Sequence, residues 1–158
     1  MKQKTKNYIY SILIALGVGG LSALFTSGNM DIYKEIVKPP LSPPSILFPI
    51  VWSILFTLMS ISAAMIKNNN IASLHSRDSA LLTYGISLVF NFFWSLIFFN
   101  LQMYFFAFLW LLALLYFIIK TIIKYYKIDK TAALLQIPYL VWVTFAGYLN
   151  FAIWYLNR

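Results

Sequence analysis

The sequence predicts an all-α membrane protein, a five-transmembrane-helix bundle formed by residues 1–158 as a single domain. Three observations lead there. The chain is 61% hydrophobic and 10% charged, whereas a water-soluble domain carries roughly 25% charged residues, so too few charges exist to clothe a water-facing surface. The apolar residues fall into five segments, each near the ~20 residues a helix needs to cross hydrocarbon. All four acids, Asp31, Glu35, Asp78 and Asp129, lie between those segments or at their edges. Helices are expected rather than strands, because a membrane barrel would show shorter stretches of alternating polarity.

The first segment, about 8–26, follows Lys2, Lys4 and Lys6. That start resembles a signal peptide, but the apolar run is longer than the usual 7–15 residues and the site near Thr26-Ser27-Gly28 is a poor one for cleavage. A retained span is therefore expected. Ala15, Gly19 and Ala23 form a small-xxx-small row on it, which predicts close helix packing. The second segment, about 43–66, follows the proline-rich run Lys38-Pro39-Pro40-Leu41-Ser42-Pro43-Pro44. Ser42 reads as its N-cap with Pro43 at the first helical position. The third, about 79–99, follows a polar loop that begins at Lys67-Asn68-Asn69-Asn70, contains His75 and ends at Asp78. Its Ser79, Thr83 and Ser87 make a second, weaker row of small residues. The fourth, about 103–123, follows a tight Asn100-Leu101-Gln102 turn. The fifth, about 131–156, carries Pro138 early, which predicts a kink four residues before Trp142.

Net charge is +8. Its distribution reads as membrane orientation, and no nucleic-acid partner is expected. The N-terminus, second loop and fourth loop hold Lys2, Lys4, Lys6, Lys67, Arg77, Lys120, Lys124, Lys127 and Lys130, nine in all, against Lys34, Lys38 and Arg158, three, on the opposite side. The positive-inside rule then predicts a cytoplasmic N-terminus and an external C-terminus, with the proline-rich loop outside. The expected location is the cell membrane of a bacterium.

The interior chemistry is defined first by what it excludes. No acid lies mid-span, as proton-coupled pumps, carboxylate-lined channels and voltage sensors require. There is no Cys, and the single His75 sits in a polar loop, so no metal, cofactor or acid–base pair is expected. The helices carry instead aromatic and neutral polar groups at helical spacing. Asn91, Trp94 and Phe98 share one face of the third segment, Trp142, Ala146 and Asn150 one face of the fifth, and Trp52 and Phe56 lie one turn apart on the second. Such faces either pack on one another or enclose a flat-walled apolar cavity suited to a large, rigid, hydrophobic guest.

In three places the sequence resembles the translocator protein family, also called tryptophan-rich sensory proteins (TspO/MBR) or peripheral-type benzodiazepine receptors. The first is Tyr33 with Lys38-Pro39, Pro43-Pro44 and Val51-Trp52. The second is Asn91-Phe92-Phe93-Trp94 with Phe98-Phe99. The third is Pro138-Tyr139-Leu140-Val141-Trp142 with Phe145-Ala146 and Leu149-Asn150. The resemblance spans essentially the whole chain. It implies a five-helix bundle that often dimerises, with lipid around it, and a receptor for tetrapyrroles (protoporphyrin IX, haem), sterol-like lipids and isoquinoline carboxamides. It implies Tyr33, Pro43, Trp52, Phe56, Asn91, Trp94, Trp142 and Ala146 as ligand-binding positions, with the first loop as a lid. Some bacterial members resembling this chain promote light-dependent porphyrin breakdown; Trp52 and Trp142 would be the residues involved, and facilitated transport of tetrapyrroles is a further alternative. Lys34 and Lys38 are placed to meet ligand carboxylates at the mouth. The chain departs from the family pattern at Ile32 and Leu41, where the lid commonly has Trp. It departs again at Leu82 and Ile86, in the small-residue dimer row, and at Phe151 and Tyr155, in the sterol pattern. Sterol recognition is accordingly not inferred.

Overall fold

The computed structural model describes residues 2–158, which form helices and connecting turns with no strand among them. Seven α-helices occur: α1 (Gln3–Thr26), α2 (Ile32–Glu35), α3 (Leu47–Lys67), α4 (Leu74–Ser95), α5 (Tyr104–Ile128), α6 (Lys130–Leu135) and α7 (Ile137–Leu156). Five stretches are long and apolar enough to cross a membrane: Gln3–Asn29, Leu47–Lys67, Leu74–Asn100, Tyr104–Ile128 and Lys130–Leu156. The all-α, five-span expectation holds.

The ends of the spans differ from expectation, each for a local reason. α1 starts at Gln3, because helical bonding continues into the polar residues, with Lys6 N–H on the Lys2 carbonyl at 3.2 Å. The second span starts at Leu47 rather than 43. Ser42 does not cap it; its hydroxyl donates back to the Pro39 carbonyl at 2.8 Å. Pro43 precedes Pro44, and a residue before proline is held out of the helical region. Leu41, just upstream, takes a left-handed φ of 69°. The third span starts at Leu74, five residues early. Ser73 caps it, accepting from Ser76 N–H at 3.1 Å, so His75, Arg77 and Asp78 lie on helical turns and not in a loop. The same span ends in a widened π-type stretch, Leu96–Asn100, closed by Leu101 N–H on the Leu96 carbonyl at 3.0 Å. α5 continues to Ile128, where Asp129 stops it and caps α6 through Ala132 N–H at 3.1 Å.

The fifth span breaks at Gln136, two residues before Pro138, which has no N–H to offer the preceding turn. Gln136 Nε2 donates to Ser62 Oγ at 3.2 Å, and Ser62 Oγ donates to the Ala132 carbonyl at 2.6 Å. The break is thus tied to α3. The expected kink before Trp142 is this break.

The spans close into a ring. α1 packs on α3 and α4, α4 on α5, α5 on both α6 and α7, and α6 returns to α3. Beyond the break α3 meets α7 only sparsely. Lipid offers no hydrophobic drive for helices to associate, so dispersion contacts and interhelical hydrogen bonds hold the ring. The densest contacts are at the end that carries the N-terminus, where Met59, Ile66, Ile118, Tyr125 and Ala132 are fully buried. Asn7 and Asn68 join their side chains there at 2.7 Å. At the opposite end Asn100 accepts from Asn29 and donates to the Phe25 carbonyl, both at 2.9 Å.

Candidate ligand-binding cavity

Where α3 and α7 diverge, a cavity of about 600 Å³ opens between α1, α3, α4 and α7. That volume falls within the roughly 300–1,000 Å³ typical of small-molecule sites. Six expected positions line it: Trp52, Phe56, Asn91, Trp94, Trp142 and Ala146. Phe48, Phe92 and Phe99 add further rings. No ionisable side chain is among the lining residues.

The walls are built by a run of ring contacts. Trp52 lies tilted on Phe56 at 5.5 Å and meets Tyr139 edge-on at 6.2 Å. Trp142 meets Phe48 at 5.9 Å and Phe145 at 5.7 Å. Trp94 and Phe98 lie tilted at 5.3 Å. Trp94 Nε1 donates to Asn150 Oδ1 at 3.0 Å, and Asn150 Nδ2 donates to the Tyr104 carbonyl at 2.7 Å. Asn150 therefore joins α4, α5 and α7 and does not face a guest. Asn91 is the contrast: its side chain is 4% exposed and lines the cavity, with the buried Tyr139 hydroxyl beside it. An amide offers more hydrogen-bonding groups than one hydroxyl can satisfy, which leaves Asn91 able to meet a polar group from the cavity side.

Tyr33 and Pro43 are not on the wall. Tyr33 Oη donates to the Pro43 carbonyl at 2.9 Å, which closes the first loop on itself. The Tyr33 ring then stands edge-on to Phe48 at 5.1 Å, one ring removed from Trp142. Burial pushes the Tyr33 phenol above its ordinary 10.0, with a contact to Ser42 pulling the other way. It thus stays protonated and donating through neutral pH, and its contribution is lost only as pH rises past that ordinary value. The loop is fastened to α7 twice more. Asn157 exchanges two bonds with the Val37 backbone, at 3.0 and 2.9 Å, and Tyr148 Oη donates to the Pro40 carbonyl at 2.9 Å. Lys34 pairs with Asp31 at 3.1 Å. Lys38 donates to the Tyr33 carbonyl at 2.9 Å and sits over its ring. Neither lysine lines the cavity.

Sequence reasoning missed the α1 wall. Gly19, Gly20, Ser22, Ala23 and Thr26 all line the cavity. The small-residue row predicted close packing, and at Ala15 and Gly19 it provides it: Ala15 is fully buried, and a Cβ on Gly19 would lie 2.6 Å from the Phe56 ring. One turn further along, the same small residues leave space. On the expected faces Phe98 and Asn150 do not line the cavity, Phe98 packing with Ala107 and Ile153, and the row read as packing is partly wall.

The TspO/MBR family matches residues 11–156 of the chain. The tryptophan-rich protein TspO of Chlorobaculum tepidum is 35% identical over 150 residues, covering 91% of each chain. The CrtK protein of Rhodobacter capsulatus is 36% identical over 143 residues, covering 88% of this chain and 85% of its own. The translocator protein of Bos taurus is 29% identical over 150 residues, covering 94% and 88%. Five apolar spans and a match across nearly their whole length leave one assignment: this chain is an integral membrane protein of the TspO/MBR family.

Proposed function

We propose that the protein is a membrane receptor for planar hydrophobic ligands of the tetrapyrrole type, protoporphyrin IX or haem, held in the α1–α3–α4–α7 cavity. The observation that carries this reading is a space of about 600 Å³ walled by Phe48, Trp52, Phe56, Trp94 and Trp142, free of charge and lined by one amide, Asn91. Flat rings favour a flat aromatic guest, and Asn91 supplies one directional contact to it. The first loop, tied down through Tyr33, Tyr148 and Asn157, acts as the lid. The excess of lysine and arginine on the N-terminal side supports a cytoplasmic N-terminus with the lid outside.

The test is titration of the detergent-solubilised chain with protoporphyrin IX, followed by quenching of tryptophan fluorescence. Saturable quenching is expected, weakened about tenfold or more in Trp142→Ala, a loss on the scale of one aromatic contact and its burial. Absence of quenching at micromolar porphyrin removes the proposal. A second reading, light-driven porphyrin degradation, is favoured by the Trp52 and Trp142 indole N–H groups, which have no hydrogen-bond partner among the described residues. Illumination of the complex in air separates the two. Porphyrin absorbance that decays in the wild type and persists in Trp52→Phe and Trp142→Phe supports degradation; unchanged absorbance supports the receptor alone.

A further inference from the structure

Away from the aromatic cavity, at the N-terminal end of the bundle, a second cavity of about 340 Å³ lies between the start of α4 and the end of α5. Ser73, His75, Ser76 and Ser79 line it from α4, and Lys124 and Lys127 from α5. Lys124 is its centre. The ammonium donates to Ser79 Oγ at 2.9 Å and Thr83 Oγ1 at 2.8 Å, both neutral. No carboxylate approaches it within ion-pair distance among the described residues. The two acids nearest in sequence are engaged elsewhere: Asp78 faces Lys67 at 4.0 Å, and Asp129 caps α6.

A half-buried cation held by hydroxyls has its position fixed and its charge uncompensated. The row Ser79–Thr83, which in sequence reads only as small residues, is the cradle that fixes it. Ser79 Oγ accepts from Lys124, leaving its own proton free to donate. Lys127 and His75 stand exposed at the rim. The start of α4 adds the positive end of a 22-residue helix. Every group here favours an oxyanion with several acceptors, and paired lysines with hydroxyls suit a phosphate.

We propose that this groove is a binding site for a phosphate-bearing anion, and that its source is the headgroup of an anionic phospholipid. The setting supports the lipid source. The groove lies where two candidate spans end, Leu74–Asn100 at its start and Tyr104–Ile128 at its finish, which is where a spanning helix meets headgroups. Ile71 is 98% and Leu74 61% exposed beside it, and such apolar side chains next to a cationic pocket match a molecule with both phosphate and acyl chains. Basic pockets between helices on the positively charged side of membrane proteins hold such headgroups. The site is separate from the aromatic cavity and does not depend on what that cavity binds.

The experiment is thermal unfolding of the full chain in dodecyl-maltoside micelles at constant ionic strength, titrated with dioleoylphosphatidylglycerol, dioleoylphosphatidylcholine or inorganic phosphate. The phosphatidylglycerol arm is expected to stabilise the wild type saturably and the phosphatidylcholine arm not to. Affinity for phosphatidylglycerol is expected to fall about thirtyfold in Lys124→Met/Lys127→Gln and to stay unchanged in Lys2→Gln, which removes a charge from the same end outside the groove. Lys127→Gln alone, on the exposed rim, carries the test if the double variant does not fold, with a loss of about fivefold. Stabilisation by inorganic phosphate, with nothing added by phosphatidylglycerol, supports the site and assigns it a soluble ligand. No preference for phosphatidylglycerol over phosphatidylcholine and no response to phosphate, or equal responses in wild type and lysine variants, overturns it.

Discussion

The two ends of this bundle are made from the same helices and nearly the same apolar alphabet, yet one is filled and the other is hollow. Near the N-terminus, Met59, Ile66, Ile118 and Ala132 interdigitate until none is exposed. Near the first loop, glycine, alanine and serine on α1 face rigid rings on α3, α4 and α7, and the rings do not fold into the space. At the filled end the Tyr84–Tyr125 pair is wedged among aliphatic chains that close around it; at the hollow end the rings brace one another across small residues and leave a gap. The break at Gln136 is where one regime passes to the other, since α6 packs on α3 and α7 leans away from it. Both regions are built from the same five apolar spans, so side-chain size and the divergence of α7 from α3 make the difference.

That contrast breaks if the filled end tolerates truncation. Met59→Ala is expected to cost about 2 kcal/mol, at the low end for buried large-to-small changes because lipid competes as an apolar surrounding. Thermal unfolding in micelles reads this, and porphyrin affinity should stay within about twofold of wild type, the site being elsewhere. An unchanged melting temperature would mean the packed end does not hold the ring together. Gly19→Val sharpens the comparison at the boundary. Its side chain needs the place of the Phe56 ring, so the ring must swing toward the cavity and porphyrin affinity should drop about tenfold. Adding Phe56→Leu should restore most of it, as expected for residues in contact; no recovery would separate Gly19 from the cavity. Asn157→Ala has the smallest effect. It removes the two bonds to Val37, about 1 kcal/mol in an exposed setting, and should speed porphyrin release about fivefold in stopped-flow measurements with little change in melting temperature. An unaltered release rate would detach the loop from gating.

The spans were legible because hydropathy is a property of long windows, and the cost of unpaired backbone in lipid leaves helix as the only continuation. Helix ends were not, because the first turns of α4 stand in water and look like loop. Only the Ser73 hydroxyl on Ser76 N–H marks them as helix. Ser42 carried the same signal and meant something else, since two consecutive prolines keep its neighbours extended. The cavity was half legible. Trp52, Asn91 and Trp142 stand out by type and spacing, whereas Gly20 and Ala23 matter for what they lack, and an absent side chain leaves no mark that separates a wall from a contact. Tyr33 and Pro43 differ in another way: their relation is to each other, through one hydrogen bond, and only the folded loop brings them together.

The widened stretch at Leu96–Asn100 has a consequence for length variation. A π-type turn holds one residue more than an α-helix would over the same rise. Deleting a single residue there would let the stretch wind as regular α-helix with little change of phase, whereas deleting one from the regular turns before it would rotate Asn100 by about 100°, away from Asn29 and from the Phe25 carbonyl. Insertions and deletions are usually absorbed by loops. In this chain the phase of a helix interior sets where Asn100 meets the first span, so the regular turns before residue 96 should resist changes in residue number more strongly than the widened stretch, which can give one residue up.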